Sequence, residues 1–184
     1  MDYRKYKISR DLAWEILLRE GVCELPVSTS RLCRQMGVNL AYGETGVGND
    51  GFSTVVNGTM YIVIRQGMNA GRTRFTVAHE LGHILLGHVG TYNLVNREPS
   101  KSDNPIEHEA NVFASRFLAP ACVLWGCGVR TAEEIAELCN IGLQAAKIRS
   151  ERMEVLYERN KFLTSPLERK VYNQFLPFIY SHRR

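Results

Sequence analysis

The sequence predicts an α+β fold, in which helices precede and follow a small three-stranded antiparallel sheet. Apolar residues recur at helical spacing near the N-terminus, β-branched and aromatic residues fill three short segments, and helix-start signals recur in the C-terminal half. With 184 residues and 45% hydrophobic content, the chain can bury one core. We therefore expect a single domain over residues 1–184.

Composition favours a cytoplasmic protein. The five cysteines include no CxxC pair, which argues against both a disulfide framework and a thiolate zinc site. The N-terminus lacks the apolar run of a signal peptide, and no apolar stretch approaches the roughly 20 residues of a membrane span. We expect reduced thiols and no membrane partner.

Two helices are predicted before the sheet, over residues 11–20 and 28–36. Each is followed by a glycine, Gly21 and Gly37 respectively, that suits a helix C-cap.

Three strands are predicted next, at residues 38–42, 51–56 and 59–65. Asn57-Gly58 favours a type I′ hairpin because both positions accept positive φ. The polar, glycine-rich segment 44–51 is expected to form a loop.

A long helix is predicted over residues 72–88, and a polar connection follows it. A second core helix should begin at Asn104-Pro105, and the same start signals recur at Thr131 and Ser165. The C-terminal third is therefore expected to be helical over 131–178, with a turn near 140–142. We divide the domain into a core, 1–125, and a helical extension, 126–184.

The helix at 72–88 carries the motif His79-Glu80-Leu81-Gly82-His83. At 3.6 residues per turn, His79 and His83 lie on one face, so two imidazoles can share one metal ion. Glu80 points toward the same side and can act as a general base. Zn2+ makes water acidic near neutral pH, and peptide hydrolysis is the reaction that best uses these parts. Two incidental histidines on a helix are the simpler alternative, but the flanking residues are apolar and predict a buried helix.

A catalytic zinc site needs a third protein ligand. The position six residues after His83 is Val89, which excludes the metzincin pattern. His88 is five residues after His83, about 140° around a continuous helix, and we expect a surface or capping role for it.

The acidic candidates for the third ligand are Glu107 and Glu109. Glu107 occupies a capping-box position and Glu109 could be exposed, so spacing alone leaves the choice open. Glu107 and Asn111 lie one turn apart, so Glu107 could face the metal while Asn111 holds a histidine N–H.

Three segments of the sequence resemble the ImmA/IrrE family of metallo-endopeptidases. They are the run 72–83, the residues Glu107-x-Glu109-Ala110-Asn111-x-Phe113-Ala114, and Phe117-Leu-Ala-Pro120. This resemblance covers approximately residues 10–125. It implies a zincin-like fold and a site in which His79, His83 and a glutamate bind Zn2+ and Glu80 is the catalytic base. Strand 59–65 precedes the metal helix, as the substrate-binding edge strand does in zincins, so we expect an extended peptide to add to its edge.

By analogy with other zincins, the resemblance assigns the third ligand to Glu107, with Glu109 in reserve. Many members have a histidine four residues after the second metal histidine; here that position is Gly87, and the histidine is displaced to His88.

The resemblance also implies a substrate: a helix-turn-helix transcriptional repressor of a phage or mobile element, which would make the chain an anti-repressor. Segment 131–149 could itself imitate a helix-turn-helix, and residues 147–184 hold nine Lys or Arg against four Asp or Glu. The second helix of this pair has few base-reading side chains, so we do not expect direct DNA binding.

Two questions stay open at the level of sequence. The chain could be a metal-binding regulatory protein that binds a repressor or DNA without proteolysis. The residue that stabilises the oxyanion could be Tyr92, His108 or Arg116.

Overall fold

A computed structural model describes residues 3–89 and 104–183, and its architecture is α+β, as predicted. In chain order the elements are α1 (Tyr3–Arg19), α2 (Thr29–Gln35), β1 (Val38–Gly43), β2 (Gly51–Val56), β3 (Thr59–Arg65), α3 (Ala70–Leu85), α4 (Pro105–Leu118), α5 (Ala121–Cys127), α6 (Ala132–Cys139), α7 (Leu143–Glu158), α8 (Pro166–Gln174) and α9 (Leu176–His182).

The chain forms two compact units. The first comprises residues 1–9 and 28–114, and the second comprises residues 10–27 and 115–184. The unit boundaries fall inside α1 and α4. The division at residue 125 within a single domain stays a prediction.

The sheet is mixed, so the prediction of an antiparallel sheet is wrong for one of its pairs. β2 and β3 form the predicted antiparallel hairpin, and Asn57 (φ 49°) and Gly58 (φ 78°) both have positive φ. β1, however, pairs in parallel with β3, with Val38 opposite Met60. The loop at 44–50 is long enough for the chain to pass over the position of one strand before β2 begins.

β3 is the central strand, because the strand order is β1-β3-β2. Ile62 and Ile64 on this strand are fully buried. Since both of its sides are paired, β3 has no free edge, and the prediction that a peptide adds to strand 59–65 is wrong. Among the described strands, β1 and β2 lie at the two edges of the sheet.

α3 packs against β2, β3 and α2 in the first unit. It begins after Asn69, whose side chain accepts a hydrogen bond from the backbone N–H of Arg72 at 2.8 Å. It ends at Leu85, three residues before the predicted end, because Gly87 adopts a left-handed conformation (φ 75°). The backbone N–H of Gly87 donates to Ile84 O and that of His88 donates to His83 O, which is the Schellman pattern.

The second unit is helical, as predicted for the C-terminal third. Thr131 and Glu134 form a capping box, and Ser165 accepts from the backbone N–H of Glu168. Asn140 (φ 46°) makes the predicted turn between α6 and α7. The sequence did not predict α5, nor that α1 begins as early as Tyr3.

One segment, Pro105–Cys127, is long and apolar enough to cross a membrane by length and composition alone. Pro120 interrupts it between α4 and α5. Because 83% of its apolar window is buried within the protein, the segment has the properties of a core element of a soluble protein.

Gly82 lets α4 approach α3 closely. A Cβ added at Gly82 would lie 2.9 Å from Cδ1 and 3.3 Å from Cβ of Phe113, a side chain with no solvent exposure. The phenylalanine therefore occupies the space that any other side chain at position 82 would need.

We predict that Gly82→Ala destabilises the protein, although alanine is the better helix former. The helix gains about 1 kcal/mol, but overpacking against Phe113 costs about 1–3 kcal/mol, so a net loss is expected. Urea unfolding measures the difference. In a Phe113→Leu background the loss should shrink or reverse, and an equal loss in both backgrounds would show that Phe113 is not the cause.

Candidate metal centre

Three of the predicted site residues converge in the first unit. His79 and His83 lie one turn apart on α3, and Glu107 lies in the first turn of α4. The two Nε2 atoms are 3.0 Å apart, Glu107 Oε2 is 3.1 Å from His79 Nε2, and Glu107 Oε1 is 3.5 Å from His83 Nε2. All three groups can offer ligand atoms that lie within 4.8 Å of one another.

These distances fit a tetrahedral metal ion. Zn2+ bound at about 2.0–2.1 Å by nitrogen and oxygen would place its ligand atoms about 3.3 Å apart. The observed separations of 3.0, 3.1 and 3.5 Å bracket that value. Two imidazoles and one carboxylate also leave the fourth position of a tetrahedron for water or substrate.

The electrostatics of the site favour an ionised carboxylate. Hydrogen bonding to His79, and then to His83, holds the pKa of Glu107 well below its usual range, although partial burial of the carboxyl opposes this shift. Glu107 is therefore a carboxylate at neutral pH, as metal binding requires.

Both carboxylate oxygens of Glu107 are directed to the two histidines, and Asn104 caps the start of α4. The side chain of Asn104 accepts a hydrogen bond from the backbone N–H of Ile106 at 3.0 Å, and its backbone oxygen accepts from His108 N–H. Asn111, one turn after Glu107, has its Oδ1 3.0 Å from His79 Nδ1. This is the contact that the spacing of Glu107 and Asn111 predicted.

Glu80 is buried, with 4% of its surface exposed. Ser53, on edge strand β2, donates a hydrogen bond from Oγ to Glu80 Oε2 at 2.8 Å. Sequence reasoning missed Ser53, because nothing in the pattern of an isolated strand marks a serine that faces a helix 27 residues later in the chain.

Of the two roles expected for His88, the surface role is wrong, whereas its backbone N–H does cap α3. The expectation of a surface role assumed a helix that continues to residue 88, whereas α3 ends at Leu85 and the chain turns at Gly87. The His88 side chain is only 11% exposed. Its Nδ1 lies 3.1 Å from His83 Nδ1, and its Nε2 lies 3.3 Å from Glu109 Oε2.

The reserve ligand, Glu109, thus contacts His88, and it is not part of the three-residue cluster. Burial, followed by the proximity of His83, lowers the pKa of His88, although Glu109 partly opposes this. The neutral imidazole is therefore favoured at neutral pH.

The choice of oxyanion-stabilising residue stays a prediction. Tyr92 lies outside the described residues. His108 Nε2 is buried and has no hydrogen-bond partner within 3–89 and 104–183. Arg116 belongs to the second unit, where its guanidinium donates to Ser115 Oγ at 2.9 Å.

Comparison with protein families identifies a related domain. The model of the Peptidase_M78 family, described as an IrrE N-terminal-like domain, matches residues 33–151, more than half of the 184-residue chain. The matched region includes the three clustered residues and Glu80. No curated protein sequence matches the chain significantly.

We predict that Glu107→Gln weakens metal binding by more than about 100-fold, because it removes a charged ligand. Losing a residue that only hydrogen-bonds to a ligand already costs about 10–100-fold in metal affinity. Competition with a chromophoric chelator measures the affinity. Glu154→Gln, which neutralises an exposed carboxylate on α7, is the matched control and should bind like the wild type. Equal metal affinities for both variants would show that Glu107 is not a metal ligand.

Proposed function

Because the chain belongs to the Peptidase_M78 family, whose IrrE N-terminal-like domain is of metallopeptidase type, we propose that it is a zinc-dependent endopeptidase. Its proposed substrate is a helix-turn-helix transcriptional repressor of a phage or other mobile element, cleaved in the cytoplasm. One observation carries the proposal: a donor set with tetrahedral spacing adjoins a buried glutamate that can serve as a base.

His79, His83 and Glu107 are the proposed zinc ligands. Two imidazole nitrogens and a carboxylate oxygen are a donor set that zinc accepts in catalytic sites. When bound, zinc would supply Lewis-acid chemistry, which makes water a nucleophile near neutral pH and polarises a peptide carbonyl.

Glu80 is the proposed general base. Its carboxylate would take a proton from the attacking water and pass it to the leaving amine nitrogen, so the same group serves as base and then as acid. The hydrogen bond from Ser53 to Oε2 fixes the orientation of this carboxylate. A fixed base loses less entropy in reaching the transition state.

Edge strand β2 is the proposed binding strand for the substrate. Among the described strands it pairs only with β3, so alternate backbone N–H and C=O groups along its outer side could pair with an extended peptide. Through Ser53 the same strand contacts the proposed base. A complex in which the peptide pairs with β1 would contradict this assignment.

We predict that Glu80→Gln lowers the rate of repressor cleavage by at least about 100-fold and leaves zinc affinity within a few-fold of wild type, because Glu80 acts on protons and is not a ligand. The assay incubates zinc-loaded protein with the repressor encoded nearest to its gene and follows the fragments by mass spectrometry. Cleavage by both proteins, or by neither under inducing conditions, would overturn the proposed mechanism.

We predict that Ser53→Ala lowers kcat by about tenfold, because the base loses a hydrogen bond worth about 1.5 kcal/mol. KM and zinc affinity should stay unchanged, since Ser53 contacts neither the ligands nor the proposed substrate edge with its side chain. Steady-state kinetics on the same repressor separates the two parameters. A change confined to KM would instead assign Ser53 to substrate binding.

A regulatory protein that binds DNA without proteolysis is the second candidate, and the helix pair α6–α7 is the observation that favours it. The exposed face of α7 is poorly suited to DNA: Leu143 and Ile148 are exposed there, together with Glu151 and Glu154. Arg149, which adds to the basic excess, is 1% exposed and donates to Ala119 O. Tight, salt-sensitive binding in a gel-shift assay would favour this candidate.

A further inference from the structure

We propose that Glu109 and His88 form a hydrogen-bonded chain that holds His83 in the orientation and tautomer needed to bind metal. Both are positioning residues and not ligands. The inference rests on the proposed function, because it assigns a role toward the metal to residues behind the ligand.

The contacts form one continuous chain in the first unit. His83 Nδ1 is 3.1 Å from His88 Nδ1, and His88 Nε2 is 3.3 Å from Glu109 Oε2. The two rings meet edge to face, with centroids 5.1 Å apart. The side chains of His83, His88 and Glu109 are 2%, 11% and 16% exposed, respectively. Water therefore competes little for these hydrogen bonds.

Only one arrangement of protons satisfies this chain when His83 binds metal. Its Nε2 faces His79 and Glu107 and must be unprotonated to be a ligand, so the proton lies on Nδ1. His83 Nδ1–H then donates to His88 Nδ1. Consequently His88 carries its proton on Nε2 and donates it to the Glu109 carboxylate.

The backbone brings His88 to this position. In the Schellman motif that ends α3, the N–H of His88 donates to His83 O at 2.9 Å. Such motifs commonly bring the corresponding side chains into hydrophobic contact. Here two imidazoles make that contact, so the end of the helix and the orientation of the ligand are fixed by the same pair of residues.

The partners of the two histidine ligands differ in charge. His79 Nδ1 has a neutral amide oxygen, Asn111 Oδ1, as its partner, whereas His83 reaches a carboxylate through His88. A carboxylate behind an imidazole raises the basicity of the ligand nitrogen, and losing such a partner commonly costs about 10–100-fold in metal affinity. His83 is therefore expected to be the more strongly donating histidine.

The test measures zinc affinity by chelator competition for the wild type, His88→Leu and His88→Asn. We expect His88→Leu to weaken zinc binding about 10–100-fold. His88→Asn should recover part of the loss, because its side-chain oxygen can accept from His83 Nδ1–H. His182→Ala, at the exposed end of α9, is the control and should bind zinc like the wild type.

A double-mutant cycle tests whether Glu109 acts through His88. Glu109→Gln should weaken zinc binding alone but have no further effect in the His88→Leu background. In nitrogen-15 NMR spectra of the zinc-loaded wild type, the proton on His83 Nδ1 should be protected from exchange with water and give a signal. In His88→Leu the proton should exchange rapidly and its signal should disappear. Thermal unfolding of the metal-free variants shows that each one folds.

The outcomes separate this inference from the function on which it rests. If the wild type binds no zinc, the proposed metal site fails. If the wild type binds zinc and His88→Leu binds it equally well, the site stands and the positioning role is overturned. Additive losses from His88→Leu and Glu109→Gln would overturn the chain as a unit.

Discussion

The close approach of α3 and α4 at Gly82 is the constraint on which the rest of the site depends. Ligand atoms from two helices can come within 4.8 Å of one another only if the helices are near at that point. Gly82 contributes no side chain, and Phe113 fills the space beside it. Glu107 and Asn111 on α4 therefore reach the imidazoles of α3 directly. The cost of a glycine inside a helix, about 1 kcal/mol, is offset by this contact.

The parts of the site that follow from helical spacing were predictable from the sequence. His79 and His83 share a face because they are four residues apart, and so do Glu107 and Asn111. The start of α4 was equally predictable, because Asn104 and Pro105 act on the backbone next to them. These are local rules, and the same rules predicted the caps at Thr131 and Ser165.

The parts that depend on distant pairing or on one backbone torsion angle could not be predicted in this way. The parallel pairing of β1 with β3 is set by a loop that could also have formed an antiparallel meander. His88 was misplaced because the predicted helix ran through Gly87, whose left-handed conformation reverses the chain. A single glycine thus makes an apparently remote histidine the neighbour of a proposed metal ligand, His83.

The hairpin register links the proposed base to the proposed substrate strand. Side chains alternate along a strand, so a shift of β2 by one residue would turn Ser53 away from Glu80. Two features oppose such a shift: the Asn57-Gly58 turn fixes one end, and at the other Gly51 lies where a Cβ would come within 2.8 Å of Thr76 Cγ2 on α3. Ser53 therefore keeps its position without support from the outer side of β2. The outer side of β2, which pairs with no other described strand, is the side that we propose for the peptide.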